Sequence, residues 1–153
     1  MNFKTLLITA VIFCTPLLLI ASRPPKKKLV SGFYKVIDEK GIHLELNHTH
    51  KYYDVESTPF VSTRHIVSTA VTLVKFNGTS HPTLMIVFDA EGASANTKAS
   101  STGYKRTIGL ILNNKLKLAP SMVGNITGNS INISGAYTLE QLKDLKAEID
   151  KSK

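Results

Sequence analysis

The chain has 153 residues, of which 42% are hydrophobic and 20% are charged, so its composition excludes an intrinsically disordered protein and suits one domain with a core. Its formal net charge is +8, but its aromatic residues are scattered and form no aromatic–basic repeat of the kind that stacks bases. We therefore expect no nucleic-acid binding.

The first element is an uncharged apolar run, Thr5–Ala21, after a short positive start. This pattern predicts a signal peptide or a membrane anchor over residues 1–22, with Ala21 or Ser22 as a small residue for cleavage. If it is not cleaved, this segment attaches the protein to a membrane. Cys14 is the only cysteine and lies inside the run, so disulfides play no part in the fold.

A linker over residues 23–29 is predicted next, because two prolines and three lysines favour extended, solvated backbone. The same basic cluster argues against export, since positive charge usually marks the cytoplasmic flank of an apolar segment. We nevertheless expect residues 30–153 to form an exported domain.

Strands dominate the first half of this domain. Alternation on both sides of the sequence DEKG, within residues 32–47, predicts a β-hairpin. The segment KYYDVESTPF predicts a short strand that ends by Pro59. HIVSTAVTLVKF predicts a longer strand with NGTSHP as its turn, and the apolar run Thr83–Phe88 predicts a central strand.

The second half begins with a helix. Asp89 stands where an N-cap belongs and Glu91 follows in the first turn, so we expect a helix here that is poor in large apolar residues. Two strands are predicted around the turn Asn113–Asn114.

A half-buried strand and a closing helix complete the domain. The sequence SINIS alternates isoleucine with polar residues, and Thr138 with Gln141 forms a capping-box pattern. One apolar helical stripe follows: Leu139, Leu142, Leu145 and Ile149. This stripe could dock a partner helix, but packing against the domain's own sheet is the stronger interpretation because it directly follows the last strand.

The ordered set FDAEGA, RTIGLILNNKLKLAP and GNSINISGAYTLEQLKDL resembles the head subdomain of the first periplasmic domain of SecD, in the SecDF protein-export family. The resemblance covers roughly Tyr52 to Ile149. The residues on the family motif are Phe88, Gly92, Ala93, Ala119, Pro120, Gly128, Ile133, Ser134, Gly135, Tyr137 and Thr138. We expect their glycines, small polar residues and caps to shape the backbone rather than to perform chemistry.

The chain also departs from the family pattern. The helix after Phe88 carries SANTKASS where the family has aromatic and apolar residues, Asn113 and Asn114 replace an Asp-Gly turn, and Leu118 stands where serine is common. The family's base subdomain and membrane helices have no counterpart in this sequence. The resemblance therefore implies a free-standing head domain rather than a complete export motor. It also implies a location in the cell envelope, either periplasmic or anchored in the inner membrane and facing the periplasm.

Two histidines, His48 and His50, form an H-x-H pair that could supply two metal ligands from one strand face. A polar strand end or loop explains them better, because no spacing fixes a third ligand. We expect no cofactor and no resident metal.

Acyl-transfer and carboxylate chemistry are also not supported. GASAN around Ser94 lacks the second glycine of a nucleophile elbow. Asp89 and Glu91 match helix capping better than an acid–base pair. Four N-x-S/T sequons, which would be glycan acceptors only in a eukaryotic secretory protein, begin at Asn47, Asn77, Asn125 and Asn132.

The sequence predicts an α+β domain, a mainly antiparallel sheet with two helices packed on one face, that follows a signal or anchor segment. The leading function is non-enzymatic binding of polypeptide or of an export or membrane-complex partner, linked to protein translocation. Two alternatives are a small-ligand or metal-binding envelope protein and a structural accessory subunit of a membrane complex.

Overall fold

The structure is a computed structural model that describes residues 28–47, 49–101, 107–121 and 126–153. The segments 1–22 and 23–27 therefore lie outside the described residues, as does His48. The helices are α1, Ala90–Ser101, and α2, Leu139–Asp150. The strands are β1 Gly32–Ile37, β2 Ile42–Glu45, β3 Tyr52–Val55, β4 Val61–Ser62, β5 Ile66–Phe76, β6 Thr79–Phe88, β7 Ile108–Leu112, β8 Lys115–Leu118 and β9 Ser130–Ser134.

One sheet has the order β2-β3-β1-β7-β8, with β4 paired to the first residues of β1. Its ladders are antiparallel and join segments distant in sequence, as in the pairing of Phe33 with Leu110. The backbone N–H of Asn47 donates to the carbonyl of Leu116 at 3.0 Å, which brings the end of β2 against β8. The sheet therefore curves toward a closed barrel.

The other sheet has three antiparallel strands in the order β5-β6-β9. Its inner face carries Leu84 and Ile86 from the central strand and Ile131 and Ile133 from β9, all of them buried. Both helices contribute side chains to the hydrophobic cluster on this face, which also includes Phe33 and other residues of the first sheet. The predicted α+β class with antiparallel sheets and two helices is confirmed.

Strand β7, IGLIL, is buried along its whole length because both of its faces are covered. Leu110 belongs to the cluster between the two sheets, whereas Ile111 belongs to a second cluster inside the curved sheet. Tyr34 fills the centre of that second cluster, where its hydroxyl donates to the carbonyl of Val30 at 2.6 Å. The buried Leu29 joins the same cluster.

Two local predictions are wrong. The segment before and after DEKG is not a hairpin, because β3 lies between β1 and β2, and Val55 faces Val36 on one side and Ile42 on the other. The turn after β5 is shorter than NGTSHP, because only Asn77 and Gly78 form it and Thr79–Pro82 already belongs to β6.

The remaining element predictions agree with the structure. Asn113 and Asn114, with φ of 51° and 63°, form the turn between β7 and β8. The half-buried strand SINIS is β9. The capping box is present, because the Thr138 hydroxyl accepts from the Gln141 N–H at 3.1 Å and the Gln141 side chain accepts from the Thr138 N–H at 2.8 Å.

Candidate functional site

The most accessible apolar surface of the described residues lies on β5. Val67, Leu73 and Val74 are 63%, 60% and 49% exposed, and only two other large hydrophobic residues of the described chain are comparably exposed. Leu73 and Val74 are consecutive and therefore point to opposite faces, so the outer part of β5 exposes an apolar side chain on each face of the sheet.

The β5–β6 hairpin extends beyond the rest of its sheet. Strand β9 pairs only with Thr83–Val87, so among the described residues the part of the hairpin between Leu73 and Pro82 has no third strand beside it. Two-residue turns with positive φ match the twist of paired strands, and Asn77 and Gly78 have φ of 48° and 80°. The sequence Asn-Gly therefore fixes the register of this protruding hairpin.

The turn also determines which backbone groups face outward. In a two-residue hairpin the closing pair, here Phe76 and Thr79, is hydrogen-bonded, and hydrogen-bonded pairs then alternate with non-hydrogen-bonded pairs. Lys75, Leu73 and Val71 consequently direct their N–H and C=O groups away from β6. Within the part of the chain that the structure describes, no strand pairs with this edge.

Pro82 of β6 pairs with Leu73 of β5, and its position agrees with this alternation. A proline has no N–H to donate, so within a sheet it occupies positions whose nitrogen faces away from the neighbouring strand. On the β6 side of the protruding hairpin, strand addition is thus blocked by Pro82, whereas β5 carries no equivalent block.

The three strands of this sheet carry a single formal charge, Lys75, and one histidine, His81. The carboxylate of Asp150 reaches β5 from the end of α2, but Lys146 and Lys153 each lie within 2.6 Å of it. Burial opposes its ionisation, yet the hydrogen bonds from these lysines and from Thr69 prevail and lower its pKa to about 2. The surface around β5 is therefore apolar with a slight positive balance.

A concave surface, separate from the β5 edge, lies between α2 and β8. This cleft has a volume of about 420 Å³, and its walls include Leu46, Leu118 and Leu142. A salt bridge of 2.7 Å between Lys117 and Glu148 joins its two walls. Tyr137 also lines it, and burial, with a contribution from Tyr53, raises the pKa of that side chain.

The start of α1 brings together the first group of motif residues. Asp89 Oδ1 accepts from the N–H of Gly92 at 2.7 Å, and Phe88 packs edge-to-face on Phe33 with ring centroids 5.8 Å apart. Gly92 lies so close to His65 that an added Cβ would approach the His65 Cβ to 2.8 Å. Ala93 packs against the hydrophobic cluster between the sheets.

His65 is enclosed at this junction, with 13% of its side chain exposed. Arg64 Nε donates to His65 Nε2 at 3.1 Å, and His65 Nδ1 lies 3.0 Å from Asp89 Oδ2. The N–H of Gly92 and then His65 are the main groups that lower the pKa of Asp89. These contacts serve the helix cap, and Ser94 on the same helix is exposed.

The later motif residues surround β8, β9 and α2. The carbonyl of Pro120 accepts from the N–H of Ile108 at 3.1 Å. Gly128 and Gly135 have φ of 104° and 146°, values that favour glycine. Ser134 ends β9 opposite Thr83, and Thr138 caps α2. The prediction that these residues shape the backbone stays a prediction.

The described residues contain no group of three side chains able to hold an ion, and His48 of the predicted pair lies outside them. His50 is highly exposed, with its Nδ1 at 3.6 Å from Glu45 Oε1. The sequence reasoning missed a different pair: His43 stacks on Tyr52 with ring centroids 5.0 Å apart, and its Nδ1 lies 3.2 Å from Asp54. Knowledge of the β2–β3 register would have revealed the pair of His43 and Asp54, because the two residues face each other in that ladder.

The sequons occupy varied positions. Asn77 is at the tip of the β5–β6 hairpin, Asn132 is exposed within β9, and Asn47 has a positive φ of 26° at the end of β2. Asn125 lies outside the described residues. In the described ranges we find no helix with the length and apolarity needed to span a membrane.

Two solved structures share this fold. One is a crystal structure of SecDF in a super-membrane-facing form, with a TM-score of 0.58 and 15% identity, covering 79% of this chain and 18% of that chain. The other is described as a membrane component SecDF that enhances protein export, with a TM-score of 0.56 and 15% identity, covering 80% of this chain and 62% of that one.

Among curated proteins, the protein translocase subunit SecD of Magnetococcus marinus is 29% identical over 85 residues, which cover 56% of this chain and 16% of the relative. The chain thus spans about a sixth of that protein. Residues 39–152 match the family described as SecDF, P1 head subdomain. The chain therefore belongs to the SecDF P1 head subdomain family.

Proposed function

We propose that this chain is a non-enzymatic domain of the cell envelope that binds unfolded polypeptide in connection with protein translocation. The observation that carries the proposal is the long, exposed and nearly uncharged β5 edge on a SecDF head fold. A translocating polypeptide is extended and presents unpaired backbone and apolar side chains, which such an edge complements.

The comparisons support the translocation setting. One relative is a subunit of a protein translocase, and one structural neighbour is a membrane component that enhances protein export. An envelope location is supported by this kinship and by the apolar run Thr5–Ala21, which has the composition of a signal or anchor.

The chemistry of the described residues supports a binding role. The most enclosed histidine, His65, has both ring nitrogens engaged by Arg64 and Asp89, at a helix cap. Lys117 and Glu148 pair with each other across the cleft. Covalent catalysis requires a nucleophile, a base within hydrogen-bond reach of it and a third group that orients the base. These side chains do not form such an arrangement.

The proposal is tested by measuring binding of the full chain, purified in detergent micelles, to an unfolded protein. Reduced, carboxymethylated α-lactalbumin is a suitable probe, and native α-lactalbumin is its matched control. We expect fluorescence anisotropy to show saturable binding of the unfolded form and no binding of the native form. Equal binding of both forms, or no binding of either form, would contradict the proposed function.

A second experiment tests in cells whether β5 contacts the translocating polypeptide. A photoreactive residue introduced at Leu73 should crosslink to an exported precursor during translocation, whereas the same residue at the exposed Ser94 should not. Crosslinks from Leu73 exclusively to a folded subunit of the membrane complex would instead favour an accessory, partner-binding role.

A further inference from the structure

We infer that β5 binds an extended polypeptide segment as an additional antiparallel or parallel β-strand, and that it selects segments without basic residues. This inference rests on the proposed function and names the site and the mode of recognition. It places the contact on the backbone edge of β5 and not in the cleft between α2 and β8.

The first argument is the state of the backbone groups. Lys75, Leu73 and Val71 direct N–H and C=O groups outward, and no described strand receives them. Exposed edges in soluble proteins are usually blocked by charges, prolines or bulges. On β5 the bulge lies at the start, between Ile66 and Ser68, and the charge is limited to Lys75 near the turn, so the stretch between them has neither feature.

The second argument is the difference between the two sides of the hairpin. Pro82 removes the donor on the β6 side where the hairpin protrudes, and β9 already covers the rest of β6. The sheet is therefore open to strand addition along β5, and the hydrogen bond that ties α2 to this strand is at Thr69, outside the protruding part of the hairpin.

The third argument concerns side chains. Successive residues of an added strand point to opposite faces of the sheet. On one face they would lie beside Leu73, and on the other beside Val74, both of which are exposed. An extended segment with apolar residues at consecutive positions would therefore bury apolar surface on both faces, which a helix or a folded surface could not do.

The fourth argument is charge. The edge has Lys75 near its outer end and the exposed Arg64 just before its start, and neither β5, β6 nor β9 carries a carboxylate. At the Arg64 end, however, Asp89 and Glu91 lie close to the neighbouring histidine, and Asp150 is engaged by two lysines. Lysine or arginine of the bound segment beside Lys75 would therefore meet like charge, whereas aspartate or glutamate at that position would be attracted.

Charge also argues against a second copy of this chain as the occupant. Antiparallel pairing over the protruding ends of two β5 strands would bring Lys75 of one copy near Lys75 of the other. Like charges across such a ladder are unfavourable. The chain as a whole has a net charge of +8, which further opposes self-association.

The decisive comparison uses two substitutions at one exposed position of the full chain. Leu73→Pro removes an outward N–H and leaves the hydrogen bonds to β6 in place, whereas Leu73→Ala removes the side chain and retains the N–H. We expect Leu73→Pro to weaken binding of carboxymethylated α-lactalbumin about tenfold and Leu73→Ala to weaken it about threefold or less. Equal losses in the two variants would overturn strand addition.

A measurement on the wild-type chain covers the case in which Leu73→Pro fails to fold. Hydrogen exchange of the amides of Lys75, Leu73 and Val71 should slow when the unfolded probe is bound, because these groups gain partners. The amides around Lys117 in the cleft should not change. Protection confined to the cleft would overturn the assignment, even though binding itself, and hence the proposed function, would stand.

Selectivity is tested with two peptides that alternate valine and threonine, one flanked by aspartates and one by lysines. The wild-type chain should prefer the aspartate-flanked peptide by about tenfold at low salt, and Lys75→Glu should reduce or reverse this preference. An unchanged preference in Lys75→Glu would overturn the charge argument. Dimerisation through β5, detected by sedimentation and abolished by Leu73→Pro, would identify a second copy as the occupant and overturn the inference.

Discussion

The hydroxyl of Thr69 donates to Asp150 Oδ1 across 2.9 Å and thereby ties the edge strand β5 to the last turn of α2. The two residues are 81 positions apart in sequence. Lys146 and Lys153 complete the surroundings of the same carboxylate. This contact is where the charged end of α2 meets a strand that carries almost no charge of its own.

Substitution of Asp150 by asparagine should destabilise the domain at neutral pH by about 0.5–1 kcal/mol, because solvent at this partly exposed site screens most of the ion-pair energy. The folded pKa of about 2 lies below the ordinary value of 3.8. The stabilisation is therefore fully present above about pH 4 and is lost as the pH falls through about 2.

Urea unfolding of wild type and Asp150→Asn at several pH values measures this effect. The difference between the two proteins should shrink as the pH is lowered from about 5 to 2. Asp144→Asn, an exposed position on the same helix, is the matched control. A difference that persists unchanged at pH 2 would contradict the assignment.

Gly92→Ala should destabilise the domain although alanine is the better helix former. The added Cβ would lie 2.8 Å from the Cβ of His65 and 3.1 Å from that of Phe88, so the start of α1 must shift. We expect a net loss of about 1–3 kcal/mol, even after the gain in helix propensity of about 1 kcal/mol. Thermal unfolding checks this, with Ser94→Ala, exposed on the same helix, as a control expected to change stability little. A stabilised Gly92→Ala protein would show that the close approach is not rigid.

Asn96→Ala should stabilise the domain. Asn96 is 1% exposed on the inner face of α1, and its Nδ2 finds no hydrogen-bond partner among the described residues. Removing an unsatisfied buried group and gaining helix propensity should together add about 1 kcal/mol to the free energy of unfolding. Thr97→Ala isolates the propensity contribution, so Asn96→Ala should exceed it. A loss of stability in Asn96→Ala would indicate that its packing outweighs the unmet hydrogen bond.

Zinc should have little effect on the melting temperature. The described residues contain no group of three metal-binding side chains, and His50 and Glu45 form an exposed pair on their own. With zinc at a few equivalents we expect a shift below about 1 °C, since a ligand stabilises only in proportion to its occupancy of the folded state. A larger shift that disappears in His50→Ala and His48→Ala would favour the metal-binding alternative.

The parts of the fold that the sequence predicted are those encoded by neighbouring residues. The turn at Asn113–Asn114 needs two positive φ angles, which asparagine tolerates better than most residues, and the structure has both. The capping box of Thr138 and Gln141 spans a single helical turn. In each case the signal and the structure occupy the same few residues.

Pairing between distant segments was not predictable in this way. Gly41 supports a turn in the sequence, but a Cβ added to it would meet the carbonyl oxygen of Val55 at 2.5 Å, because β3 inserts between β1 and β2. The sequence of β3 does not indicate which strands it will pair with. The same limit applies to the candidate site, since alternation in β5 predicts a strand and cannot show that the strand is an edge.

The pairing of β1 with β7 has a consequence for how the domain forms. Gly32 pairs with Ile111, and strands β5 and β6 of the three-stranded sheet lie between these two residues in the sequence. Ladders of such wide sequence separation form slowly, because the chain must close a long loop before any contact compensates the lost entropy. During synthesis or export the amino-terminal strand will emerge long before its partner. The domain should consequently depend on chaperones early in its life and then acquire its structure in one cooperative step.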